Sequence, residues 1–392
     1  KNLLVEYLRI SGGGHGLPNL TQLFQRRLRE FATRVLRQAL PSATQQQSSI
    51  GALPKDMKDI TAIITQVQSL LVREGEGVRL SSEEEVMRVC SVLVSAEYCS
   101  QMTNKLQAKL VQKWQQLSTN SHAAGSTESG SNKTVAAAPA AAGSGISLAA
   151  EEELFHAVLS QCILLLVGHT ESLCESSLSG LPKLNWLLEQ TGDQSNYVSQ
   201  LAGHLSSIVP LVRYNLHTSR KYFTRYCDKL AASICAKFTQ QVYRCRPINS
   251  VGCEQLLLDC HALKATLLQM PVMGAKVIRD PPVSYTRMVN KSLTRPELVL
   301  QVVMGEYTSH AQLLDKTIRL LPDLSLADFQ KVLELRGVKE KSSLLEVYRQ
   351  RIAAAGGGDA ATGGSTPAPS TPEHELSKIA KLEKMLKARR LI

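Results

Sequence analysis

Between Thr218 and Leu268 the apolar positions fall into two runs separated by one proline, and the runs predict two amphipathic helices. Phe223, Cys227, Leu230, Ile234, Phe238 and Val242 follow one another at steps of three or four, which places them on one helix face. Lys221, Arg225 and Lys229 line another face. Pro247 has no backbone donor and biases Arg246 away from helical angles, so the first helix should stop near Cys245 and the next begin near Ser250.

The same periodicity recurs with legible punctuation. Ser82 and Glu85 form a capping box ahead of a helix carrying Val89, Leu93, Ala96, Leu106 and Leu110, and Thr294 with Glu297 repeats the device. Ser325 caps a short helix with Asp328 in its first turn and Leu326, Phe329, Val332 and Leu333 turned inward. Gly337 supplies the left-handed residue that ends it, and Ser343 with Glu346 starts another. The pattern gives about a dozen helical segments, with no recurring period of the length a solenoid needs. Short turns favour antiparallel neighbours, so the expected class is all-α, built from tandem antiparallel helical bundles.

Ser11–Gly16, Thr119–Gly145 and Ala353–Pro372 are rich in small and turn-forming residues and hold few large apolar ones, so they read as loops or disordered insertions. The resulting division is as follows: 1–16, the end of a preceding helix plus a Gly-rich linker; 17–118, part of a helical bundle; 119–147, a disordered insertion; 148–190, helices completing the first bundle; 191–352, a second bundle; 353–372, a disordered linker; and 373–392, a basic amphipathic helix. In that last segment Leu376, Ile379, Leu382 and Leu386 form a seam beside Lys378, Lys381, Lys384, Lys387, Arg389 and Arg390. It reads as a helix for a partner or a membrane surface, or as a weakly helical tail.

Composition narrows the picture. Aromatics make up only 5% of the 392 residues against 43% hydrophobic overall, in keeping with a Leu-, Val- and Ala-lined helical core. The net charge of +11 is uneven: Arg213–Arg246 holds eight basic residues against Asp228 alone. Such patches attract acidic proteins, anionic lipid or nucleic acid, and the sign does not choose among them. Nine cysteines with no CxxC pair fit a reducing, cytosolic setting with no metal site. The longest apolar run, Cys162–Val167, is far short of the roughly 20 residues a membrane span requires. The chain opens on Lys1 inside an apolar pattern (Leu3, Leu4, Leu8) and so reads as a fragment.

No catalytic, cofactor or metal constellation emerges. The SGGGHG stretch at Ser11–Gly16 lacks the Lys and Ser/Thr of a phosphate loop, and HExxH, GxSxG and DxDxDG patterns are missing. Cys260 and His261 are helix neighbours whose side chains diverge by about 100°, and Glu151–Glu153 suit the start of a helix. The candidate interaction surface is Arg220, Lys221, Tyr222, Arg225, Lys229, Arg244 and Arg246. Its interleaved basic and aromatic residues admit a nucleic-acid reading, against which Tyr222 and Tyr226 fit a bundle rim with packed rings and wet hydroxyls.

Six blocks in order carry a family likeness: TQLFQRRLREFATRVL at Thr21–Leu36, SAEYC at Ser95–Cys99, TGDQSNYV at Thr191–Val198, SRKYFTRYCDKLA at Ser219–Ala231, CRPINSVGCEQLLLDCHALK at Cys245–Lys264, and FQKVLELRGVK at Phe329–Lys339. They resemble the vacuolar protein sorting fifty-three subunits of the Golgi-associated retrograde protein tethering complex, over about Leu17–Ile352. The resemblance implies an elongated rod of tandem bundles of the CATCHR type and a non-catalytic role in capturing endosome-derived vesicles at the trans-Golgi network, and in endocytic recycling. It implies other complex subunits as partners, mainly through an N-terminal region preceding this segment, together with SNAREs, small GTPases and an anionic membrane. The location it implies is cytoplasmic, peripheral on trans-Golgi network and endosome membranes. A basic helical nucleic-acid-binding protein is the alternative.

Overall fold

The computed structural model describes residue 6 and residues 16–41, 80, 82–123, 146–277, 280–339 and 341–355. The Gly-rich segment before Gly16, most of the 119–147 insertion, and the linker and basic helix after 355 lie outside the described residues. Ten α-helices form the described part: α1 Gly16–Glu30, continued by a π-helical turn at Phe31–Arg37; α2 Glu83–Ala123; α3 Ala149–Gly180; α4 Asn196–Asn215; α5 Arg220–Val242; α6 Ser250–Gln269; α7 Val283–Met304; α8 His310–Leu320; α9 Leu326–Arg336; and α10 Lys341–Ala355. Among the described residues no strand forms beyond one parallel bridge, Trp186 with Ile248. The all-α class stands.

Two units divide the chain, Lys1–Lys341 and Ser342–Ile392. In the first, α3 packs against α2, α4 and α5, and α5 packs in turn against α7, which also receives α6, α8 and α9. Contacts therefore run without a break across residue 190. Apolar residues surround α3 because neighbours do: Leu154, Phe155, Val158, Leu159, Cys162, Ile163 and Leu166 are all buried. By length and composition α3 is apolar enough to cross a bilayer, which the count of consecutive apolar residues missed, and 56% of its most apolar window is buried inside the protein. In the second unit α10 buries Leu344 and Tyr348, one turn apart.

Local rules explain most helix ends. Ser82 Oγ accepts a hydrogen bond from the Glu85 amide at 3.3 Å, and Val89, Leu93, Ala96 and Leu110 are fully buried behind it. Ser325 Oγ accepts from the Asp328 amide at 3.0 Å. At the far end of α9 Gly337 sits at φ 75°, its amide donating to Glu334 and the Val338 amide to Leu333, which closes the helix in a Schellman motif. An alanine at 337 would carry a Cβ in the left-handed region, and the expected cost is about 1 kcal/mol, measurable as a lower urea midpoint with unchanged helicity.

Two expected starts move. Thr294 does not cap a helix: α7 runs straight through it, and Thr294 Oγ1 instead donates back to the Asn290 carbonyl at 2.8 Å. The reason is the stripe Tyr285, Val289, Leu293, Leu300 and Val303, all buried, which continues on both sides and carries the helix past Pro296. Ser343 lies in the first turn of α10, which begins at Lys341. The proline turn after α5 is as expected, with α5 ending at Val242 and α6 capped by Asn249, whose side chain accepts from the Gly252 amide.

Candidate partner-binding surface

Along α5 the stripe Phe223, Cys227, Leu230, Ile234, Phe238 and Val242 is buried against α3 and α7, which leaves the opposite face in solvent. Lys221, Arg225 and Lys229 are exposed there, followed by Ala232, Ala236 and Gln240, while Arg220, exposed at the first position of the helix, lies on the stripe's side, three and seven residues before Phe223 and Cys227. Tyr222 departs from expectation: it is only 4% exposed, with Lys221 Nζ 4.9 Å above its ring, so it belongs to the packing and not to the contact surface. Tyr226 is fully buried and its hydroxyl, far from wet, lies 2.7 Å from Thr170 Oγ1 on α3. Burial pushes that phenol well above its ordinary pKa.

The eight basic residues of Arg213–Arg246 divide evenly. Four are engaged inside the fold. Lys221 pairs with Glu97 of α2 at 3.0 Å, Lys237 with Glu171 and Glu175 of α3 at 3.1 Å each, and Arg246 with Glu334 of α9. Arg213 lies over the Phe223 ring and donates to the Pro271 carbonyl. The other four, Arg220, Arg225, Lys229 and Arg244, pair with no carboxylate among the described residues. Arg220 opens α5 and Arg244 lies two residues past its end at Val242, a span of roughly 35 Å at 1.5 Å per residue, so the open cations are spread along the helix and do not make a single spot.

This spread ends at a groove of about 930 Å3 between α5, α7 and α9. Ala232, Ala236 and Tyr243 come from α5 and the turn after it, Ser292 and Arg295 from α7, and Ala327 and Lys331 from α9. Its acidic groups are taken up locally. Asp328 accepts from Arg295 at 2.8 Å and from Lys331 at 2.9 Å, and Glu334 holds Arg246. Partial burial works to raise the Asp328 carboxyl, but hydrogen bonds from Lys331 and Ser325 outweigh it and hold the group below the usual range.

A second cavity of about 540 Å3 lies between the end of α3, the 184–195 segment, the start of α4 and Gln255 of α6. The cap residue of α6 and two of the helix's side chains fasten the 184–195 segment. Asn249 donates to the Leu188 carbonyl at 2.7 Å and accepts from its amide. Gln255 accepts from the Gly192 amide and donates to the Asp193 carbonyl, both at 2.8 Å. Asp259, with no exposed surface, accepts from the Ser195 amide at 2.8 Å and from Gln255 at 3.3 Å. Two of the family-like blocks, Thr191–Val198 and Cys245–Lys264, are thus the two halves of one latch, which no reading of either block alone would find. A third block meets the second through Arg246 and Glu334.

Among the described residues no three His, Cys, Asp or Glu side chains gather as metal ligands. Cys260 is buried while its neighbour His261 is exposed, as their helical divergence requires. Burial pushes the thiols of Cys90, Cys174, Cys235, Cys253 and Cys260 up to about 12, so they are protonated packing groups.

Residues 254–338 match the family model described as vacuolar protein sorting-associated protein 53 C-terminus. The chain is 33% identical over 332 residues to the vacuolar protein sorting-associated protein 53 homolog of Caenorhabditis elegans, covering 84% of this chain and 36% of the relative. It is 26% identical over 335 residues to vacuolar protein sorting-associated protein 53 A of Arabidopsis thaliana, covering 85% and 34%. The chain therefore spans about a third of the length of these relatives. No solved structure matches it.

Proposed function

We propose that this chain, which belongs to the family of vacuolar protein sorting-associated protein 53, is part of a subunit of a multisubunit vesicle-tethering complex. It acts as a non-catalytic scaffold in endosome-to-trans-Golgi-network transport and endocytic recycling. The single observation that carries the reading is the 33% identity sustained over 332 residues. The fold suits such a role, because tethering needs a stiff body and several weak contacts whose combined strength comes from multivalency. The other subunits of the complex are its partners, and SNAREs, small GTPases or an anionic membrane are what its open faces meet. Its place is cytoplasmic and peripheral, on trans-Golgi network and endosome membranes.

The contact surface is the set of unpaired cations on α5, namely Arg220, Arg225 and Lys229, with Arg244 beyond it. Lys221 and Arg246 act instead within the fold, through Glu97 and Glu334. Double charge reversal, Arg225→Glu with Lys229→Glu in the full-length subunit, is expected to lower vesicle capture about tenfold, a little over 1 kcal/mol of lost attraction. Complex assembly and melting should not change. Capture at the wild-type level would remove this face from the mechanism. The nucleic-acid alternative has nothing in its favour beyond charge sign, and a mobility shift absent at low salt would close it.

A further inference from the structure

We propose that the groove between α5, α7 and α9, entered along the Lys229–Ala236 face of α5, takes an acidic amphipathic helix of a partner protein. The inference rests on the tethering reading and specifies what the scaffold holds.

Shape is the first argument. The exposed face of α5 changes character halfway along. Arg225 and Lys229 give way to Ala232 and Ala236, both exposed, and these small side chains lead into the 930 Å3 groove, where Ser292 and Ala327 add further short walls. Helices approach to about 8 Å only where the side chains between them are this small. Two alanines one turn apart leave the α5 backbone near the surface, so a helix seated there can approach closely.

Charge is the second. The groove is lined by Arg244, Arg246, Arg295 and Lys331 against Asp328 and Glu334. Both carboxylates are already held by their own cations: Asp328 by Arg295 and Lys331, Glu334 by Arg246. Arg244 remains open at one end and Lys229 at the other, with Arg225 a further turn away. An occupant with carboxylates spaced along one face would meet a cation at each end and alanine between them, so attraction sets its register and the small residues set its distance. The chain's own 373–392 segment does not qualify, because Lys378, Lys381, Lys384 and Lys387 carry the same sign as the groove. A lipid surface does not either, because it is flat and cannot enter a trough between three helices.

The test uses the full-length subunit in its assembled complex. A photo-reactive benzoylphenylalanine placed at Gln240 is irradiated during vesicle capture, and the cross-linked peptides are sequenced. The expected product is a protein peptide of net negative charge whose apolar residues recur at helical spacing. Cross-links to lipid, to nucleic acid, to neutral or basic peptides, or to nothing would overturn the proposal. Ala236→Trp fills the trough without altering any charge, and Arg244→Glu reverses the open end; each is expected to lower the cross-link yield about tenfold, with melting unchanged. If Arg225→Glu/Lys229→Glu abolishes capture while Ala236→Trp leaves both capture and cross-linking intact, the groove is wrong and the tethering reading survives. If neither variant affects capture, the groove and the α5 cation face both fall, and the tethering reading, which rests on the family identity, is untouched.

Discussion

Gly252→Ala is expected to destabilise the first unit by about 3 kcal/mol, at the upper end of the usual cost of overpacking a filled site. A Cβ at 252 would lie 2.2 Å from the Trp186 carbonyl oxygen and 3.0 Å from Ile248 Cγ1. Neither neighbour can retreat cheaply. The Trp186 carbonyl accepts from the Asn249 amide at 3.2 Å, while its indole is 3% exposed and donates to the Leu181 carbonyl at 3.0 Å. Relief requires moving the 184–195 segment off α6 and giving up the Asn249 and Gln255 hydrogen bonds with it. Urea denaturation should show a lower midpoint, and hydrogen exchange should quicken at the Leu188 and Gly192 amides ahead of the rest of the unit. Gly203→Ala is the control, since a Cβ there meets nothing within 4 Å. In mid-helix it should stabilise α4 by up to about 1 kcal/mol. If the two variants melt together, the close approach at Gly252 is not what fixes the latch.

Asp259→Ala should cost about 2 kcal/mol, because the part-buried Ser195 amide loses its acceptor while Gln255 keeps only its bond to the Asp193 carbonyl. The Ser195 amide and the Gln255 side chain both point at Asp259 Oδ1, and Asp259 has no surface through which water could substitute. Asp259→Asn keeps an oxygen in that place and should cost less than about 1 kcal/mol. The ratio between the two is the readout, obtained from urea melts at fixed pH. Equal losses would mean that the carboxylate's charge, and not its acceptor position, holds the segment. Loss of the segment's anchor should leave α9 and α8 as protected as before.

The sequence announces what depends on near neighbours. The α5 stripe, the Ser82 and Ser325 caps and the left-handed Gly337 are settled by residues within a turn or two, and each is found where the pattern places it. Thr294–Glu297 shows the limit: a local capping signal gave way to a longer stripe that buries Leu293 and Leu300 on either side of it. The candidate surface was half legible for the same reason. Counting charges between Arg213 and Arg246 overstates the open patch, because the carboxylates that engage Lys221, Lys237 and Arg246 lie 124, 62 and 88 residues away. The latch was invisible, since Gln255 and Asp259 look like ordinary polar residues of a helix until the 191–195 backbone is laid across them. Gly252 likewise carries no turn signal; only the Trp186 carbonyl explains it.

The grip on α3 sets how this body responds to force. In the tethering role proposed above, every movement of a held vesicle would reach the chain as tension. With α3 clasped by α2, α4 and α5, and α5 clasped in turn by α7, no single helix can peel away without baring the apolar flanks of several others. Pulled in an optical trap, the first unit should therefore yield in one abrupt step instead of stretching gradually.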